Sequence, residues 1–153
     1  SKIQKQLSVN QISTIASKLD FPIILLGGKD EKKNGDEIIQ LSKRDGILNL
    51  CGQVSINQSA YLIKHSNYLF TNDTGLMHIG SAYNKKIISF WGCTKPHLGF
   101  YPYVDASNSL MIVSEKSERQ CSKHGSSCRF TDKGCVKEID SQEMINRIEK
   151  FIS

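Results

Sequence analysis

An α/β fold built on a doubly wound parallel sheet is the class this sequence predicts, on three observations. Apolar runs alternate with helix-period segments along the chain. No hairpin signal joins one run to the next, so successive strands need crossovers and lie parallel. A glycine-bearing turn follows each of four runs, at Gly27-Gly28, Gly52, Gly75 and Gly92, where a strand hands over to a helix or loop.

Each element has its own reason. Ile12, Ile15, Ala16 and Leu19 mark one face of an amphipathic helix, with Ser8 or Asn10 as its cap. Phe21 to Leu26 is a continuous apolar run, the pattern of a strand buried on both faces. A polar, charged helix follows over 32–44 and is closed by Gly46; a short strand occupies 47–50 and a helix 57–66. Tyr68-Leu69-Phe70 opens a strand over 68–72. A helix from Leu76 then carries Leu76, Ile79, Gly80 and Tyr83 on one face. Strands are expected at 87–91 and 110–113. Ser141 is expected to cap a last helix that turns Met144, Ile145, Ile148 and Ile152 inward.

The 153 residues suffice for one domain with a real core. Charged residues at 23% and hydrophobic ones at 39% fit a soluble globular protein, and no apolar run reaches the length of a membrane span. The net charge is +5, but Lys and Arg are scattered rather than striped. A nucleic-acid partner is therefore not indicated, whereas a phosphorylated ligand or an anionic membrane face suits the charge. Most aromatic residues lie in expected strands or beside prolines and read as core, and Trp91 alone stays a candidate ligand contact.

Ligands of such sheets bind outside the carboxyl ends of the strands. Four turns are expected on that one edge, at Gly27-Gly28, Gly52-Gln53-Val54, Asp73-Thr74-Gly75 and Gly92-Cys93-Thr94, forming one crevice. The third carries the most chemistry. Asp73 and Thr74 are good helix caps and Gly75 admits close approach of a ligand. The N–H groups of Thr74, Gly75 and Leu76 precede the first intrahelical bonds, at the positive end of the helix dipole, which makes an anion cradle. His78 lies one turn further on the same side. On geometry alone, an ordinary strand-to-helix turn with a surface histidine is the favoured reading.

The run Asp73-Thr74-Gly75-Leu76-Met77-His78-Ile79, followed by Lys86-Ile87-Ile88-Ser89-Phe90-Trp91-Gly92-Cys93-Thr94, resembles the signature of glycosyltransferase family 9, the lipopolysaccharide heptosyltransferases and their relatives. Gly27-Gly28-x-Asp30-Glu31 and Leu50-Cys51-Gly52-x-Val54-Ser55 are similar to two further landmarks, so the likeness runs from about residue 5 to the end. It implies a Rossmann-like sheet, the C-terminal, donor-binding half of a two-domain GT-B glycosyltransferase. The donor expected from it is a nucleoside diphosphate sugar, ADP-heptose, and the acceptor a lipopolysaccharide core precursor. Transfer would proceed without a bound metal, in the cytoplasm of a Gram-negative bacterium, with peripheral contact to the inner membrane. The acceptor domain and the general base are expected outside these 153 residues, and the chain alone is expected to turn nothing over.

The resemblance also distributes roles. His78 is the catalytic residue, donating to the departing diphosphate. Thr74, Gly75 and Leu76 hold the phosphates, and Asp73 either caps the helix or accepts from a sugar hydroxyl. Lys5 takes the place of a donor-phosphate lysine. Asp30 or Glu31 accepts from ribose, or else favours the start of the next helix. Val54 and Ser55 line the base, or Ser55 caps the helix after it. Thr94 and Lys95 edge the pocket or serve a plain loop. Two other classes remain open at this point: a non-catalytic nucleotide-binding or interaction module, and half of a sugar-nucleotide epimerase.

A loop over about 115–139 offers Cys121, His124, Cys128 and Cys135 in the pattern Cys-x2-His-x3-Cys-x6-Cys. Four soft ligands can hold a structural zinc ion, although the spacing is not that of a standard finger, and unliganded thiols are the competing reading. Cys51 and Cys93 end strands and read as small buried hydrophobes.

Overall fold

The computed structural model describes residues 2–116, 118–122 and 124–153. The chain divides into two compact units, one made of residues 1–7 with 60–153 and the other of residues 8–59.

The smaller unit opens on helix α1 (Val9–Ala16), whose start is fixed by a reciprocal cap. Gln11 N–H donates to Ser8 Oγ at 3.2 Å, and Ser8 N–H donates to Gln11 Oε1 at 2.9 Å. The helix ends before Leu19, which is nevertheless buried. Strand β1 (Ile23–Leu25) pairs in parallel with β2 (Ile47–Asn49), Ile24 lying opposite Leu48, and helix α2 (Lys32–Ser42) connects them. Burial on both faces of β1 is not what the structure shows. Ile24 is 44% exposed and Leu48 54%, so this two-stranded ribbon has one open face and alternates in burial. Ile15, Ala16, Leu19, Ile38 and Cys51 are its buried apolar side chains. The buried Asn49 side chain ties α2 to β2. Its Nδ2 donates to Lys32 O and to Asp36 Oδ1, while its Oδ1 accepts from Cys51 N–H. Gly35 makes room for that amide, since a Cβ there would sit 2.5 Å from it.

The boundary between the units falls within helix α3 (Ile56–His65). The larger unit holds strands β3 (Tyr68–Asn72), β4 (Lys86–Trp91) and β5 (Ser109–Val113), all parallel in the order β3-β4-β5. β4 is central, and every residue from Ile87 to Trp91 is buried, as a strand covered on both faces requires. Helix α4 (Gly75–Ala82) crosses from β3 to β4 and lies close on β3 because Gly80 carries no Cβ to meet Leu69. Helix α5 (Ser141–Ile152) closes the unit with Met144, Ile145 and Ile148 inward. Its cap is Asp140 rather than Ser141: the carboxylate accepts from Glu143 N–H at 2.9 Å, which makes Ser141 the first helical residue. No helix among the described residues is long and apolar enough to cross a membrane.

Candidate functional site

The turn after β3 is where the larger unit gathers its polar side chains. β3 ends at Asn72, whose Oδ1 accepts from Leu7 N–H at 3.3 Å, so residues 2–7 are drawn to the strand's carboxyl end. Lys5 is thereby brought to Asp73, 68 positions away, and its ammonium reaches Asp73 Oδ2 at 2.6 Å. The same oxygen accepts from Thr94 Oγ1 at 2.9 Å, from the loop that follows β4. Both charged side chains are largely buried, Lys5 at 15% and Asp73 at 11% exposure.

This network decides Asp73's role in the protein itself. The carboxylate does not cap α4; that position belongs to Thr74, which has extended backbone and makes no side-chain cap bond. Thr74 Oγ1 instead lies 3.2 Å from Thr71 Oγ1. Met77 N–H closes on Thr74 O at 3.1 Å, which leaves the N–H groups of Gly75 and Leu76 ahead of it at the helix start. Gly75 and His78 are both exposed, one turn apart. A Cβ built on Gly75 would meet nothing within 4 Å, and Gly75 is not among the glycines of positive φ. Neither packing nor backbone conformation of the protein demands glycine there.

The other expected binding residues lie in the smaller unit, where local structure occupies Glu31 and Ser55. Glu31 Oε2 accepts from Gly28 N–H at 2.6 Å, closing the turn after β1 on itself. Asp30 is exposed in the short 3-10 turn Lys29–Glu31. Ser55 caps α3, its Oγ accepting from Gln58 N–H while its own N–H donates to Gln58 Oε1. Val54 is half-buried. In the larger unit, Lys95 is buried and donates to Ser114 O at 2.7 Å, which assigns it to the loop. Trp91 is no ligand contact: it is fully buried, and its indole N–H donates to Ser89 Oγ at 2.8 Å.

Four similarities bear on the chain. The model for "Glycosyltransferase family 9 (heptosyltransferase)" matches residues 10–131. The chain belongs to glycosyltransferase family 9. This family 9 chain is 34% identical over 79 residues to lipooligosaccharide heptosyltransferase 2 of Haemophilus influenzae, covering 50% of the chain and 23% of that protein. It is 28% identical over 132 residues to lipooligosaccharide heptosyltransferase 2 of Campylobacter jejuni serotype O:6, covering 84% of the chain and 40% of that protein. Its fold matches the solved ADP-heptose lipopolysaccharide heptosyltransferase II of E. coli with a TM-score of 0.76 and 19% identity, over 99% of the chain and 43% of the other. The chain thus spans less than half the length of each of these relatives.

A second group of reactive side chains lies in the same unit of the family 9 chain, and its membership differs from the one spacing suggested. Cys93, Cys121, Cys128 and Cys135 bring their sulfurs within 4.8 Å of one another, whereas His124 is exposed and outside the group. Cys93 enters because Cys121 N–H donates to Cys93 O at 2.9 Å, which lays the loop on the end of β4. All five cysteines are free thiols. Burial pushes Cys93 far up from the ordinary thiol range and Cys135 up to about 11. At Cys128 burial acts in the same sense, but the N–H groups of Phe130 and Thr131 and thiol donors from Cys93 and Cys121 outweigh it, bringing it down to about 7. Spacing alone had no means of finding Cys93, which precedes Cys121 by 27 intervening residues and reads as the apolar end of a strand.

Proposed function

We propose that the chain is the donor-binding half of a heptosyltransferase, and that it holds the diphosphate of ADP-heptose at the start of α4. The observation that carries this reading is the unfilled space at Gly75, on an exposed helix start whose first N–H groups have no intrahelical acceptor. A glycine that the protein's own packing does not need is explained by something that comes close to it from outside. The Lys5–Asp73–Thr94 network removes the objection that a carboxylate would repel phosphate. Asp73's charge is offset by an ammonium at 2.6 Å and its oxygen is taken up by two donors. Family membership and the likeness to heptosyltransferases support the donor class.

Negative charge develops on the β-phosphate as the bond to the sugar breaks. In this reading the N–H groups of Gly75 and Leu76 and the imidazole of His78 donate to it, and the α4 dipole adds to the same stabilisation. Donors fixed before the reaction cost no reorganisation when the charge appears. The acceptor in this reading is a lipopolysaccharide core precursor met at the cytoplasmic face of the inner membrane. The base that activates the acceptor lies in the other half of the enzyme.

Calorimetric titration of the chain with ADP, and with UDP and GDP as controls, tests the proposal. Saturable ADP binding is expected, weakened about tenfold or more in His78→Ala and in Gly75→Ala, each loss corresponding to at least ~1.4 kcal/mol. A preference for UDP or GDP discards heptose as the sugar. ADP binding that neither substitution changes moves the diphosphate away from α4.

A further inference from the structure

We propose that Cys93, Cys121, Cys128 and Cys135 form a structural zinc site that fastens the 114–134 loop to the end of β4. The distances carry the proposal. Sγ of Cys93 lies 3.7 Å from that of Cys135, and Sγ of Cys121 lies 3.8 Å from Cys128 and 4.0 Å from Cys135. A tetrahedron of zinc–sulfur bonds of about 2.3 Å has edges of about 3.8 Å. All four sulfurs fall within 4.8 Å of one another, so they make one closed group rather than two separated pairs.

Backbone donors face two of the four sulfurs. Cys128 accepts from the N–H groups of Phe130 and Thr131, and Cys93 accepts from Cys135 N–H. Such N–H donors are the outer partners that hold metal-bound sulfur in place. Three of the four thiols are buried and pack chiefly against each other, a cluster with almost no hydrocarbon of its own to stabilise it. The loop between β5 and the short 3-10 turn Cys135–Glu138 has no helix or strand among its described residues. A four-point metal clip supplies the stability that such a segment lacks.

The clip also has a position that matters. Cys93 is followed directly by Thr94, which donates to Asp73. Gly125, between Cys121 and Cys128, has positive φ, and a Cβ there would run into Lys5 and Thr94. The loop therefore packs against Lys5 and Thr94 of that network, and the ion holds it there. The ion is structural: all four ligands come from the protein, with no position left for a substrate.

The test uses the chain purified without chelator and without a histidine tag. Elemental analysis is expected to give one zinc per chain. Titration of the reduced, metal-stripped chain with Co2+ should give the intense visible bands of tetrahedral thiolate cobalt, bleached by one equivalent of Zn2+. Cys93→Ser and Cys128→Ser should lower zinc affinity by more than the roughly 10–100-fold cost of losing an outer partner, while His124→Ala keeps it. The cobalt spectrum of the unaltered chain decides the matter even if the cysteine variants do not fold. Failure of the reduced chain to take up either metal overturns the proposal. So does a purified chain whose mass shows two disulfides, or zinc that His124→Ala loses and Cys93→Ser retains.

Discussion

The turn after β1 and the turn after β3 are written in the same residue types and are used in opposite ways. Both place glycine and a carboxylate between a parallel strand and the helix that follows. In the first, Glu31 folds back on Gly28 N–H, and a Cβ on Gly27 would press on both Glu31 and Cys51. Nearby Gly52, at φ +72, would drive a Cβ to 2.8 Å from Lys29 Cα. That turn consumes its own donors, and its glycines answer to its own packing. In the second, Asp73 is drawn aside by Lys5 and Thr94, and Gly75 stands before open space. What separates the structural turn from the one we propose for binding is the direction in which the carboxylate is pulled.

The largest test of that contrast is Asp73→Asn. It leaves the ammonium of a largely buried Lys5 without its counter-charge, and a loss of roughly 2–4 kcal/mol is expected in denaturant unfolding. Unchanged stability would mean that Lys5 is readily re-solvated and that the network does not organise the turn. Paired glycine substitutions come next. Gly52→Ala should cost about 1–3 kcal/mol, from a left-handed backbone and a collision with main chain. Gly75→Ala should leave stability unchanged or raise it by up to about 1 kcal/mol, since alanine narrows the unfolded ensemble and meets nothing in the folded one. Equal losses at both positions would erase the distinction between the two turns.

The smallest effect concerns Cys51, beside the first turn. Burial, and then the charges of Glu31 and Asp36, raise its thiol above the usual 9.0. Because the folded form favours the protonated thiol, its contribution is fully present below pH 9 and is lost as pH climbs through the raised value. Cys51→Ala should therefore flatten the alkaline end of the stability profile above about pH 9. Native alkylation at pH 8 should leave Cys51 unmodified.

Much of this was legible from residue pattern. Apolar runs ended by glycine located β1 to β4, and the 3.6-residue period with Ser8 or Asn10 before it located α1, because both signals are local. The extent of β1 was not, since the run Phe21 to Leu26 does not say that one face of a two-stranded ribbon stays open. Asp140 took the cap of α5 because either neighbour could fill it and only backbone geometry chooses. The meeting of Lys5 with Asp73 and of Cys93 with Cys121 depends on where chain segments far apart in sequence are laid, which no spacing rule contains. For Lys5 the family signature supplied the hint that chemistry could not. Cys93 had no such hint, and His124 stood in its place.

The discontinuity of the larger unit sets a timetable for biosynthesis. Residues 8–59 are all in hand once the ribosome has passed position 59, so the smaller unit can close early. The larger unit needs Lys5 from its beginning and also the segment at Val136, which seats against Gly92 so closely that a Cβ there would lie 2.5 Å from Val136 N. At about 5–20 residues per second, Lys5 waits on the order of ten seconds for that segment to be made. During that interval β4, the most buried strand, has its neighbour β3 but not the segment that covers its end. That is the period in which a nascent chain of this design has most need of a chaperone.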